Sequence, residues 1–118
     1  MTYFNTDPKW LTEIAVWASM IEDISEIWLF GSRATGRRRE KDGDEGPDLD
    51  LAVVVNGADM GERLVTWIAE RDLWAEQVQP LVPVKVDLQF CDFASDDKVP
   101  TWVRADGVRI YSRAGVGA

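Results

Sequence analysis

The stretch Glu26–Val55, EIWLFGSRATGRRREKDGDEGPDLDLAVVV, decides how the chain reads. Ile27 to Phe30 is a short continuous apolar run, the mark of a buried strand. It breaks at Gly31-Ser32, where the missing Cβ of glycine lets backbone N–H groups come close to a phosphate. Ser32 to Gly36 then reads as one helical turn with Gly36 as its stop, and residues 37–47, RRREKDGDEGP, as a solvated charged loop. Asp48 to Val55 reads as the second strand. With a period of two, Leu49, Leu51, Val53 and Val55 share one face while Asp48, Asp50, Ala52 and Val54 share the other. A D-x-D pair at a strand start therefore offers two carboxylates on one face, hard oxygen donors suited to a divalent cation.

Outward from this stretch the periodicity changes to that of helices. From near Thr6 to Ile24, Asp7 or Thr6 can cap, Pro8 suits a first turn, and Leu11, Ile14, Trp17, Ala18 and Ile21 recur at helical spacing. A second helix is expected from about Ala58 to Gln79, with Met60, Leu64, Trp67, Ile68, Trp74 and Val78 along one side and Pro80 and Pro83 closing it. Val84 to Phe90, VKVDLQF, alternates as a strand whose polar side carries Lys85, Asp87 and Gln89. A short helix around Pro100 to Ala105, a turn at Asp106-Gly107, a strand Val108 to Tyr111 and a frayed tail over residues 113–118 complete the chain. The expected architecture is one α/β domain over residues 1–118. A small mixed β-sheet carries the site at one edge, with two long helices packed on one face.

Composition removes several classes of chemistry. Thirteen Lys and Arg against 21 Asp and Glu leave a net charge of −8, a field that repels long nucleic acid. The chain has no histidine, so an imidazole base, a Ser-His-Asp triad and most zinc sites are excluded, and acid–base work falls to carboxylates. The single cysteine, Cys91, cannot form an intramolecular disulfide and fits a reducing compartment. No apolar run approaches the ~20 residues that span a bilayer, and the first residues lack a basic region followed by an apolar run. A cytoplasmic protein without membrane contact is expected. Six tryptophans exceed what a core of this size needs, leaving Trp10, Val16, Trp28 and Trp102 as apolar positions for a partner.

Three carboxylates, Asp48, Asp50 and Asp87, would converge if the two strands that carry them are neighbours with their polar faces aligned. Such a cluster needs compensation, which one or two Mg²⁺ ions supply. Each piece alone has an ordinary reading: a turn, a solvated strand entrance, a half-exposed strand. A calcium loop over DGDEGPDLD fails because no closing glutamate follows, and a Walker A loop fails for want of Gly-Lys-Ser/Thr.

Together, GSRATG, PDLDLAVVV, VKVDLQF and the closing RADGVRIYS are similar to the nucleotidyltransferase superfamily of DNA polymerase β, and in size to its minimal nucleotidyltransferases. The resemblance implies that Gly31 and Ser32 contact the β- and γ-phosphates of a nucleoside triphosphate, with Arg33 neutralising phosphate charge. It implies that Asp48 and Asp50 hold both metals and that Asp87 completes the catalytic metal and helps take the acceptor's proton. The expected reaction is Mg²⁺-dependent transfer of a nucleoside monophosphate, AMP from ATP, to a hydroxyl. With no second domain to hold a small acceptor, the acceptor is expected on a partner protein, by resemblance a helical HEPN-type toxin with this chain as antitoxin. Two other readings stay open: a non-catalytic module that neutralises its partner by contact, and a small-molecule nucleotidyltransferase that completes its acceptor site as a homo-oligomer.

Overall fold

The computed structural model describes residues 6–35 and 48–113. In order these form α1 (Pro8–Ser19), β1 (Ile24–Phe30), α2 (Ser32–Thr35), β2 (Leu49–Val55), α3 (Met60–Val78), a 3₁₀ turn (Gln79–Leu81), β3 (Val86–Cys91), α4 (Lys98–Asp106) and β4 (Val108–Ser112). The charged loop and Gly36 lie outside the described residues, as does the expected tail beyond Arg113.

The four strands form one mixed sheet in the order β3-β2-β1-β4. β1 runs antiparallel to both β2 and β4, whereas β2 and β3 are parallel, joined by the α3 crossover. The expected α/β architecture holds: α1 and α3 pack on one face over a shared core. There Ile14, Trp17 and Ala18 of α1 and Trp67, Trp74 and Val78 of α3 meet Ile27, Leu29 and the odd-numbered residues of β2. The Trp17 indole N–H donates to Gln77 Oε1 at 3.1 Å and ties the two helices together. On the opposite face a smaller cluster of Phe30, Ala52, Cys91 and Val103 lies under α4.

Several boundaries differ from the periodicity. α1 is capped by Asp7, which accepts from the Lys9 N–H at 2.9 Å, but it stops at Ser19 instead of continuing to Ile24. Strand pairing wins there, because Ile24 is drawn into register with Val55. Arg113, expected in a frayed tail, holds that corner by donating to the carbonyls of Ile21 at 2.7 Å and Ile24 at 3.2 Å. α3 buries only part of its expected stripe: Met60, Leu64 and Ile68 remain exposed. β3 begins at Val86, after Gln79 has bridged the turn by donating to the Val84 carbonyl and accepting from the Val86 N–H. α4 runs from Lys98 to Asp106, longer than the short helix expected, and stops at Gly107, whose N–H donates to the Val103 carbonyl at 2.8 Å.

Candidate active site

The alternation in β2 and the parallel register with β3 build the site. Phe30, Asp50 and Asp87 lie in one row across β1, β2 and β3, since Phe30 pairs with Asp50 and Asp50 with Asp87. In the next row stand Trp28, Ala52 and Gln89. Side chains in these rows point to the face opposite α1 and α3, so the carboxylates look away from the larger core. Gln89 Nε2 donates to Asp87 Oδ2 at 2.9 Å, holding that carboxylate at one oxygen.

Gly31 follows Phe30 with φ +75°, a conformation that favours glycine. A Cβ at this position would fall on the Asp50 carboxylate. The turn and the aspartate are therefore packed against one another, and a side chain at Gly31 would have to push the Asp50 carboxylate aside. The Gly31 carbonyl accepts from the N–H groups of Ala34 and Thr35, each at 3.1 Å, which folds α2 back on the strand end.

A cleft of about 550 Å³ opens over this row. Its walls include Gly31, Ser32, Asp50 and Asp87, four of the six residues expected from the sequence. Asp48 is not a wall residue; it is half exposed at the mouth of β2, where its Oδ2 stands 3.9 Å from Lys85 Nζ. Arg33 does not reach the cleft. Its side chain is wholly buried, with Nη1 donating to Thr6 Oγ1 at 3.3 Å and its guanidinium 5.8 Å from the centre of the Trp10 ring. An arginine one residue past a turn projects to the side its short helix dictates, here under the start of α1 and away from the expected phosphate.

The other side of the cleft is α4, with Val99, Trp102 and Asp106. These residues were not singled out for the site, although their spacing of three and four places them on one helical face. Gln89 was likewise readable as the same-face neighbour of Asp87.

A larger hollow of about 760 Å³ lies between α3 and α4, lined by Met60, Leu64, Phe90 and Val99 among others. Its Asp92 is committed to structure. Arg63 Nε donates to Asp92 Oδ2 at 2.6 Å and Arg63 Nη2 to Oδ1 at 3.3 Å, and this guanidinium holds the carboxyl below the usual carboxylate range. The smaller cleft is the candidate site, because it brings Gly31, Ser32, Asp50 and Asp87 together.

The chain's sequence matches the family model "Polymerase beta, Nucleotidyltransferase" over residues 12–115. The chain belongs to this nucleotidyltransferase family. No curated protein sequence matches it. Among solved structures it is similar to a chain of a mutant toxin–antitoxin MntA-HpeT, at 20% identity over 86% of this chain and 73% of that one, with a TM-score of 0.56. A toxin–antitoxin structure with AMP-PNP is similar at 20% identity, covering 91% of this chain and 74% of that one, with a TM-score of 0.53. At these identities the likeness is one of fold, and it agrees with the polymerase β-like architecture expected from the sequence.

Among the described residues, no three His, Cys, Asp or Glu side chains form a group that could hold a metal ion. The pair Asp50 and Asp87 nevertheless suits Mg²⁺, which takes one or two protein carboxylates and completes its shell with water and substrate phosphate.

Proposed function

We propose that this nucleotidyltransferase moves AMP from ATP to a hydroxyl on a helical partner protein, releasing pyrophosphate, and acts as the antitoxin of a toxin–antitoxin pair. The observation that carries the transfer reaction is the shared cleft of Gly31, Ser32, Asp50 and Asp87, with the two aspartates in register on adjacent strands. A phosphate-binding turn beside paired carboxylates is an arrangement suited to in-line displacement at phosphorus. The partner is supported more indirectly, by the fold likeness to structures of toxin–antitoxin systems, one of them with AMP-PNP.

In this reading, Gly31 and Ser32 bind the terminal phosphates, glycine by leaving space and serine through its hydroxyl and backbone. Asp50 and Asp87 would hold Mg²⁺, with Asp48 joining them only by turning from Lys85 at the mouth of β2; the ion when bound neutralises phosphate charge and stabilises the entering and leaving oxygens. Asp87 takes the acceptor proton on the oxygen that Gln89 leaves free. Arg33 serves by position: its burial beneath Trp10 and Thr6 fixes α2, and with it the Gly-Ser turn, against α1.

The test is to incubate the purified chain with α-³²P-ATP and Mg²⁺, with and without the protein encoded beside it, and follow label into protein. Label on the neighbour that disappears with D50N supports the reading. A stable complex with no transferred label from any nucleotide would replace it with neutralisation by contact.

A further inference from the structure

We propose that Trp102 is the platform on which the base of the bound nucleotide stacks, an assignment that rests on the nucleotide-transfer reading above. The cleft is chemically two-sided. Gly31, Ser32, Asp50 and Asp87 make one side polar, whereas α4 contributes the apolar Val99 and Trp102 to the other, with Asp106 at the end of the helix. A nucleotide has the same division, a charged triphosphate joined to a flat aromatic base, and a cleft of about 550 Å³ lies in the size range of small-ligand sites.

The six tryptophans are used differently. Trp17, Trp67 and Trp74 are buried in the larger core, with Trp67 and Trp74 in ring contact at 6.2 Å. Trp28 is half-buried and held three ways: its indole N–H donates to Glu26 at 2.7 Å, Phe93 meets it edge to face at 5.8 Å, and Arg109 lies over it at 5.9 Å. Trp102 has none of these supports: among the described residues no ring or guanidinium stacks on it and no partner takes its N–H. It is 53% exposed although it lines a concavity. A large flat apolar group is thus open to a ligand inside the cleft that holds the proposed phosphate turn.

The support beneath it is firm. Trp102 sits within α4, whose Pro100 and Val103 are buried and anchor the helix to the sheet. A side chain on a packed helix is held in place better than one on a loop, as a stacking surface requires. Stacking on an indole tolerates every base, because each has a π-face, so Trp102 would add affinity for nucleotides without choosing among them.

The experiment compares ATP with inorganic tripolyphosphate, both with Mg²⁺, by calorimetric titration of the wild-type chain, W102A and W102F. The wild type is expected to bind ATP more tightly than tripolyphosphate. W102A should weaken ATP binding roughly five- to hundredfold while leaving tripolyphosphate binding unchanged, and W102F should restore most of the loss. ATP affinity that is unchanged in W102A overturns the assignment. So does an equal loss for both ligands in both variants, which would mean that Trp102 supports the fold. A wild-type chain that binds neither ligand overturns the transfer reading as well, and so is distinguishable from failure of the tryptophan alone.

Discussion

Leu51 and Asp50 are neighbours in one strand, and they work under opposite demands. Leu51 is wholly buried between the sheet and the paired helices, where close packing penalises any missing methyl group. Asp50 points to the other face, beside Asp87 and against Gly31, where two like charges are held close in an open cleft. Adjacent carboxylates of like sign are unfavourable for the folded state. The comparison teaches that β2 divides its work by parity: its odd residues hold the larger core together, and its even face carries the candidate site.

The sharpest way to break this comparison is a double dissociation. D50N should lower nucleotide transfer by roughly a thousandfold, with a melting temperature close to that of the wild type, since the isosteric amide leaves the larger core on the other face untouched. Transfer and thermal melting measured on the same preparation check both halves. L51A should show the reverse, losing ~2–5 kcal/mol of stability in denaturant titration while the folded fraction keeps its transfer rate. If L51A abolished transfer in the folded fraction, the division by parity would be wrong.

G31A sits between the two faces and should move both readouts. Holding a residue with a Cβ at φ +75° costs ~1–2 kcal/mol, and the new methyl lands on the Asp50 carboxylate. Both a lower melting temperature and weaker ATP binding are expected, measured by thermal scan and calorimetry. Unchanged ATP affinity would detach the glycine turn from the phosphate.

Away from the site, Asp92 offers a carboxylate that serves structure. Arg63 lowers its folded pKa, so its contribution is present above the ordinary carboxylate pKa of about 3.9 and is lost as pH falls through the lower folded value. D92N should therefore reduce the unfolding midpoint at pH 7, and its difference from the wild type should shrink as pH is taken below about 4. A difference that grew towards acid would contradict the pairing. The smallest effect concerns Cys91, at the end of β3 in the smaller core, whose thiol burial pushes up to about 11. It should resist alkylation at pH 8 in the native chain and react fully once denaturant is added.

The alternation of LDLAVVV was legible as two faces, and the Gly-Ser turn, the D-x-D pair and the later Asp87 were legible as candidates, because strand periodicity and glycine stereochemistry act over a few residues. The sequence by itself therefore determined that imidazole chemistry is excluded and which elements carry the candidate carboxylates. It could not say which stripe of α3 finds a partner, since helical spacing lists residues that lie together without saying what covers them; Met60, Leu64 and Ile68 were left outside. Only the tertiary structure decided that β2 and β3 pair with Asp50 opposite Asp87, that Arg33 turns inward beneath Trp10, and that α4 brings Trp102 to the cleft. Each of these depends on register or crossing between segments distant in the chain, which is fixed by packing of the whole and not by the residues on either side.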